Sequence, residues 1–138
     1  MRRGVLLDTR PLVAFLNRRD EYHEWAMAQW SQIVPPMATC EAVLSEACFL
    51  LSRMHGGSEP IMDLLQRKII VSSFRLEDQI QPIQKLLKKY RSVPMSLADA
   101  CLVRISELYP ENRLLTLDSD FGLYRRNGRQ MIPAITPQ

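Results

Sequence analysis

Two short apolar segments, each ending on an aspartate, decide the fold: Val5-Leu6-Leu7-Asp8 near the amino end and Leu115-Thr116-Leu117-Asp118 near the carboxyl end. Short apolar runs of this kind are typical of buried strands. Helical patterns and weaker strand candidates fill the chain between and after them. Strands that alternate with helices favour a parallel sheet with helices on both faces. The sequence therefore predicts an α/β protein, a three-layer α/β/α sandwich around a central, mainly parallel sheet.

The boundaries of these elements follow from capping and breaking residues. Strands are predicted at residues 4–7, 37–38, 69–72, 113–117 and 131–135, the last interrupted by Pro133. Helices are predicted at residues 12–17, 21–33, 39–54, 58–67, 82–90 and 97–108. Thr39, Ser58 and Ser96 are the expected N-caps, and Pro11 suits the first turn of the first helix. No hairpin is expected.

The composition indicates one folded domain. The chain has 138 residues, about the length of a single domain, which we expect to cover residues 1–138. Hydrophobic residues make up 46% and charged residues 24%, which excludes a disordered protein. The formal net charge is +3, and the last 18 residues contain three arginines and no acid. This basic tail favours a polyanionic partner.

The sequence also speaks against a membrane or secreted protein. No stretch approaches the roughly 18 uncharged apolar residues of a spanning helix. The first three residues resemble the start of a secretory signal, but Asp8 interrupts the apolar stretch that follows. The cysteines form no metal-binding or disulfide pattern and are expected to be reduced thiols, so a cytoplasmic location is predicted. They are Cys40, Cys48 and Cys101.

Four acidic residues are predicted to meet at one edge of the sheet. Asp8 and Asp118 follow strands, whose carboxyl ends share an edge with the amino ends of the next helices. Asp99 lies in the first turn of the last predicted helix, and Glu46 in the second turn of the third. Each aspartate also has a structural interpretation: a helix cap for Asp8, a capping box for Asp99 and an Asx turn for Asp118.

Glu46 lies outside the polar stripe of its helix, flanked by Phe49 and Leu50. Glu41 lies on that stripe and is rejected as a site residue. A carboxylate among apolar neighbours costs on the order of several kcal/mol unless a cation pairs with it. That cation is either Arg53, one face away, or a bound metal ion.

A set of carboxylates suits a hard cation. Mg²⁺ takes oxygen ligands, and one or two such ions facing a phosphodiester activate water and neutralise charge on the phosphoryl group. Neither the histidines, His23 and His55, nor a cysteine joins the set, which argues against zinc. The predicted cofactor is Mg²⁺ or Mn²⁺.

Four segments, well spread along the chain, occur in a characteristic order. They are Val5-Leu6-Leu7-Asp8-Thr9, Val43-Leu44-Ser45-Glu46, Met95-Ser96-Leu97-Ala98-Asp99-Ala100 and Leu115-Thr116-Leu117-Asp118-Ser119-Asp120-Phe121. In this order they resemble the PIN-domain family, and within it the VapC-type ribonuclease toxins of toxin–antitoxin pairs.

The resemblance implies a metal-dependent endoribonuclease that leaves 5′-phosphate and 3′-hydroxyl ends, with a small antitoxin protein as partner. It assigns catalysis and metal binding to Asp8, Glu46, Asp99 and Asp118, and metal binding also to Asp120. Substrate contacts are expected from Thr9, Arg10, Thr116, Arg125 and Arg126. RNA is expected to approach over basic residues, namely Arg10, Lys88, Lys89, Arg91, Arg125, Arg126 and Arg129. For the basic stretch at residues 85–91, a solvated helix face is the favoured interpretation and a track for phosphates is the alternative.

Arg10 departs from the family pattern, which has a small residue after Asp8-Thr9. We expect its guanidinium to contact the substrate phosphate. The alternative is a pair with Asp8 or Asp118, which would compete with the metal. The chain would then be a catalytically weak or silent PIN-like module that binds RNA or a protein.

Two further hypotheses concern class and assembly. A two-component receiver domain needs paired acids after the first strand and a lysine after the last, and this chain has neither. A homodimer is expected, with Trp25, Met27 and Trp30 of the second helix as its apolar surface. The alternative is that these three residues pack on the core.

Overall fold

A five-stranded sheet forms the centre of the protein, whose computed structural model describes residues 4–137. The strands are β1 (Val5–Leu7), β2 (Met37–Ala38), β3 (Ile70–Val71), β4 (Arg113–Leu115), β5 (Arg125–Arg126), β6 (Gln130–Met131) and β7 (Ala134–Ile135). The sheet has the order β3-β2-β1-β4-β7, and each neighbouring pair is parallel. β1 is central, because Leu6 pairs with Ala38 on one side and Leu114 on the other.

Helices cover both faces of this sheet. They are α1 (Thr9–Leu16), α2 (His23–Gln32), α3 (Glu41–Leu51), α4 (Glu59–Gln66), α5 (Ile80–Lys89) and α6 (Leu97–Leu108), with short 3-10 helices at Leu76–Gln79 and Ser119–Gly122. Side chains alternate along β1, so Val5 and Leu7 pack in one core with α1, α2 and α4. Leu6 packs in a second core with α5 and α6. The predicted three-layer α/β fold is confirmed.

Two helix starts differ from the prediction near the edge where the acids lie. α1 begins at Thr9, because the Asp8 carboxylate accepts a hydrogen bond from the Thr9 N–H (2.7 Å) and caps the helix. Thr39 does not cap α3: its hydroxyl donates to the carbonyl of Leu7 (2.8 Å), so it fastens β2 to β1. The backbone stays extended through Cys40, which holds the N-cap position. The prediction for Thr39 was wrong because the neighbouring strand offers a competing acceptor.

Other boundaries shift by a few residues. α3 ends at Leu51, before the predicted position 54, and Ser58 precedes α4 without a capping hydrogen bond from its side chain. α5 begins at Ile80, just before the predicted Pro82. The strands β3 and β4 are shorter than predicted. α6 has the predicted bounds, with Ser96 as its cap.

The expectation that the chain contains no hairpin was wrong. β5 and β6 form an antiparallel pair, with Arg126 opposite Gln130. Asn127 and Gly128 adopt φ angles of +51° and +81°, and the Arg129 N–H donates to the Arg126 carbonyl (3.2 Å) to close the turn. An Asn-Gly pair is a typical hairpin turn, because both residues tolerate positive φ. The predicted last strand is accordingly divided between β6 and β7.

The apolar surface proposed for self-association is only partly exposed. Trp30 is 9% exposed, and its ring stacks on Phe15 with centroids 3.9 Å apart. Met27 is exposed and Trp25 half-buried. The core interpretation was therefore the right one for Trp30, and the homodimer stays a prediction.

The described part of the chain can be compared with the expectations about membrane-spanning helices and about the cysteines. All of its helices are too short or too polar to traverse a lipid bilayer. Cys40, Cys48 and Cys101 are free thiols, as expected. The first three residues, considered above as a signal start, lie outside the described range.

Candidate metal centre

Asp8 lies where β1 passes into α1, and it is 5% exposed. One of its carboxylate oxygens accepts a hydrogen bond from the Thr9 N–H and the other from the Thr116 hydroxyl, both at 2.7 Å. Burial raises the pKa of Asp8 to about 6; the hydrogen bonds lower it, while the negative charges of Asp99 and Asp118 raise it. Asp8 is thus a buried acid in the electrostatic field of two others.

The segment after β4 places Asp118 beside Asp8. The Thr116 hydroxyl that donates to Asp8 also accepts a hydrogen bond from the Asp118 N–H (2.9 Å). Oδ1 of Asp118 accepts from the Asp120 N–H (2.9 Å) and caps the 3-10 helix Ser119–Gly122. The Asx turn, which was the structural interpretation of Asp118, is therefore present. Asp118 also lies beside Asp8, so the two interpretations do not exclude each other.

Asp99 combines a capping role with a place in the site. Its N–H donates to the Ser96 hydroxyl (3.0 Å), and the Ser96 N–H donates to Asp99 Oδ2 (3.4 Å), which completes the predicted capping box. The Tyr124 hydroxyl also donates to Oδ2, at 3.0 Å. Burial raises the pKa of Asp99, these hydrogen bonds lower it, and the charge of Asp118 raises it. Within residues 4–137, no donor reaches Oδ1.

Glu46 reaches the same region from α3. Its Oε2 accepts a hydrogen bond from the hydroxyl of Thr9 (3.0 Å), the residue next to Asp8. The prediction that Glu46 is buried among apolar side chains was wrong. Glu46 is exposed, and its neighbours Phe49 and Leu50 are 67% and 38% exposed, because this side of α3 faces solvent.

Asp8, Glu46, Asp99 and Asp118, here called the acidic cluster, have no cationic partner among the described residues. A set of oxygen ligands without histidine or cysteine suits Mg²⁺ or Mn²⁺. No three acidic, histidine or cysteine side chains within residues 4–137 already lie in a metal-binding arrangement. The chemistry of the donor set fits a hard cation.

Thr9 and Thr116, both expected to contact substrate, form hydrogen bonds to acids of the cluster, and their substrate contacts stay predictions. Thr9 donates to Glu46, and the buried Thr116 donates to Asp8. Each hydroxyl proton is therefore committed to a carboxylate of the acidic cluster, and the two threonines position acids.

Tyr124 is a site residue that no sequence pattern singled out. It is fully buried, its hydroxyl contacts Asp99, and its ring lies edge-on to those of Tyr90 (5.1 Å) and Phe121 (5.2 Å). Burial and the adjacent Asp99 raise its pKa, and the charge of Asp120 acts in the same direction. Asp120 thus lies at the margin of the acidic cluster. The Tyr124–Asp99 contact joins distant parts of the chain, which local patterns cannot predict.

Arg10 makes its side-chain contact outside the acidic cluster. Its Nη2 forms an ion pair with Asp20 Oδ2 (3.2 Å), in the loop between α1 and α2. Asp20 is held there by a hydrogen bond from the Tyr22 N–H (2.9 Å). The alternative pair of Arg10 with Asp8 or Asp118 is therefore not formed, because Asp20 takes up the guanidinium, while the contact with a substrate phosphate stays a prediction.

Arg126 is directed into the protein. It is 8% exposed, and its Nη1 donates to the carbonyls of Ser106 and Pro110, both at 3.1 Å. Arg126 thus links the β5–β6 hairpin to the end of α6. Its expected contact with substrate stays a prediction. Arg125, its neighbour, is half-buried.

The fold and this site define the class of protein. The PIN domain family matches residues 5–127, and the chain belongs to that family. Among solved structures the chain is similar to VapC20 of Mycobacterium tuberculosis, described as a sarcin-ricin loop cleaving toxin. The TM-score is 0.78 at 20% sequence identity, with 87% of this chain and 94% of that one covered. A comparison with curated proteins finds no match.

Proposed function

We propose that this protein is a metal-dependent endoribonuclease that acts as the toxin of a toxin–antitoxin pair. The observation that carries the proposal is the buried carboxylate of Asp8, which shares its surroundings with Asp99 and Asp118 and has no cation beside it among the described residues. Membership of the PIN domain family supports it. The similarity in fold to VapC20, a toxin that cleaves an RNA loop, supports RNA as the substrate class.

The acidic cluster would hold one or two Mg²⁺ or Mn²⁺ ions. A bound ion supplies Lewis acidity and charge neutralisation for hydrolysis of a phosphodiester. The pKa of about 6 leaves Asp8 largely ionised near neutral pH, which is the form that binds a cation. Asp99 Oδ1 and Glu46 Oε1, which receive no hydrogen bond within residues 4–137, are the oxygens that we expect to turn to the ion.

The neighbouring hydroxyls orient these carboxylates. Thr116 holds one oxygen of Asp8, and Tyr124 holds Oδ2 of Asp99. A hydrogen bond to one oxygen of a carboxylate fixes the direction in which the carboxylate presents its other oxygen to a metal ion. The scissile phosphate would then lie at the rim of the acidic cluster, where a cation offsets the repulsion between phosphate and carboxylates.

The test is RNA cleavage by the purified protein with Mg²⁺ or Mn²⁺ and with EDTA. Asp8→Asn and Asp99→Asn should each lower the cleavage rate by about 100-fold or more, because several kcal/mol of charge stabilisation depend on the ion. Asp63→Asn is the matched control, since Asp63 lies exposed on α4 in an ion pair with Arg67. That variant should cleave like the wild type.

Two outcomes would contradict the proposal. Cleavage that persists in EDTA or in Asp8→Asn would exclude a metal-dependent mechanism at this site. RNA binding without cleavage would favour the silent PIN-like module instead. Induced expression of the wild type should arrest cell growth and expression of Asp8→Asn should not, if the protein is a toxin.

We propose two protein partners for this toxin. The first is a small antitoxin protein, and the second is another copy of the chain in a homodimer. A short neighbouring reading frame with a DNA-binding signature would support the first. Sedimentation at micromolar concentration tests the second, and a monomer alone would contradict it.

A further inference from the structure

A groove of about 1000 Å³ lies between α5, α6 and the β5–β6 hairpin, outside the acidic cluster. One wall is the exposed side of α5 from Gln81 to Lys89. The other consists of Arg104 and Glu107 of α6 together with Arg125, Asn127 and Gly128 of the hairpin. We call it the basic groove.

The basic groove has a large excess of positive charge. Its cations are Lys85, Lys88, Lys89, Arg104 and Arg125, and its single acid is Glu107. Both oxygens of Glu107 are already engaged: Oε1 accepts from Arg104 Nη1 (3.1 Å), and Oε2 accepts from the Asn127 N–H (2.6 Å). Among the described residues, the three lysines and Arg125 take part in no ion pair. Four cations thus face the groove without a counter-charge.

The sequence of α5 does not compensate for this charge. The helix contains no acid, and Lys85 and Lys89 lie one turn apart, a spacing at which like charges destabilise a helix. The helix dipole favours Lys88 and Lys89 in the last turn, but it does not account for Lys85. The opposite side of α5 is fixed by Ile83 and Leu86 in the core, so this basic side must face outwards.

Two of the cations are held in place by hydrogen bonds to backbone carbonyls. Lys89 Nζ donates to the Gly128 carbonyl (3.3 Å). Arg125 donates through Nη1 to the carbonyls of Gly122 (2.7 Å) and Tyr124 (3.0 Å), and within residues 4–137 its Nη2 has no acceptor. Tyr124 in turn donates to Asp99. The basic groove therefore begins one residue along the chain from a side chain that contacts the acidic cluster.

We propose that the basic groove binds the sugar–phosphate backbone of the RNA strand on one side of the scissile bond. This inference rests on the proposed function, because it takes the acidic cluster as the site of cleavage. Contacts from lysine and arginine to phosphate position a nucleic acid without reading its sequence. An acidic protein segment fits less well. It needs apolar anchors, and the groove offers Pro82 and Leu86, of which Leu86 is buried in the core.

The test is the salt dependence of binding to a fluorescently labelled single-stranded RNA, measured in EDTA so that the RNA stays intact. We compare the wild type with Lys85→Gln/Lys88→Gln, both at exposed positions. Each lost phosphate contact should reduce the slope of log K against log salt by about 0.7, or about 1.4 for the pair. Arg53→Gln/Arg67→Gln is the control, because it removes the same charge from exposed positions beyond α3 and α4. Its slope should equal that of the wild type.

Three outcomes would overturn the proposal. An unchanged slope in the lysine pair would show that these residues make no phosphate contact. An equal reduction of the slope in Arg53→Gln/Arg67→Gln would show that the effect comes from net charge alone. Loss of affinity for a glutamate-rich peptide but not for RNA would assign the groove to an acidic protein segment. Failure of the wild type to cleave RNA with Mg²⁺ would contradict the proposed function alone, because the slopes are measured without cleavage.

Discussion

The carboxyl group of Asp8 is buried without a cation, so its ionisation opposes folding. Its pKa in the folded protein is about 6, against an ordinary value of 3.8. The protonated carboxyl therefore contributes its full stabilisation of the folded state below about pH 4, and this stabilisation is lost as the pH rises through 6. The difference corresponds to about 3 kcal/mol. We therefore expect Asp8→Asn, measured by urea unfolding in EDTA, to gain stability relative to the wild type between pH 4 and pH 8.

The exposed Asp63→Asn provides the comparison for this prediction. Its unfolding free energy should follow that of the wild type across the same pH range, because an exposed ion pair contributes little. A difference between Asp8→Asn and wild type that stays constant with pH would contradict the buried, ionisable state of Asp8.

At the same scale, the sequence predicts the positions of the acids better than it predicts the side chains around them. Asp8 and Asp118 could be located because each follows a strand whose end has a fixed place in a parallel sheet. Burial of Glu46 could not be judged, because α3 carries apolar side chains on more than one side and a helical wheel does not say which side packs. The ion pair between Arg10 and Asp20 could not be predicted, because Asp20 lies in a loop whose course no local pattern describes.

The first turn of α6 positions Asp99 of the acidic cluster. Ser96 caps it through the Asp99 N–H, and the same capping box holds the Asp99 carboxylate. Ser96→Ala should lower the free energy of unfolding by about 1 kcal/mol, the usual cost of a lost N-cap. Ser58→Ala is a matched control at the N-cap position of α4, where the side chain makes no capping bond. Urea unfolding should show a change within about 0.5 kcal/mol for this control. Equal losses in the two variants would contradict the capping role of Ser96.

Caps and turns show where local rules hold and where tertiary contacts override them. The capping box at Ser96 and the bounds of α6 could be predicted, because all the interacting groups lie within one turn. Thr39 has the right residue type for a cap but donates to β1 instead. The hairpin at Asn127-Gly128 was predictable from its turn residues, but the strands beside it have only two residues each and no apolar alternation.

At the scale of the whole molecule, the topology explains how residues 8, 46, 99 and 118 come together. β1 and β4 are neighbours in the sheet, and α1, α3 and α6 begin at the edge where strands end. Three of the four acids also accept hydrogen bonds in caps or turns. A single carboxylate can therefore stabilise local structure and belong to the acidic cluster. Several cations of the basic groove were candidates from the sequence, but the groove itself was not predictable, because its walls come from α5, α6 and a hairpin that are separate in the sequence.

This concentration of negative charge should make the stability of the whole molecule depend on a divalent cation. Like charges in the acidic cluster repel, and an ion that binds only the folded state stabilises it by about 2.7 kcal/mol at a 100-fold excess over its Kd. For a domain of 138 residues this corresponds to a rise in Tm of roughly 5–10 °C. Mg²⁺ or Mn²⁺ should produce this rise at constant ionic strength, and EDTA should reverse it.

Asp99→Asn should clearly reduce the rise in Tm, because one ligand charge is lost while the amide still accepts a hydrogen bond from Tyr124. Asp63→Asn should keep the full rise, because its ion pair lies on α4. An equal rise in both variants would mean that the ion binds away from the acidic cluster.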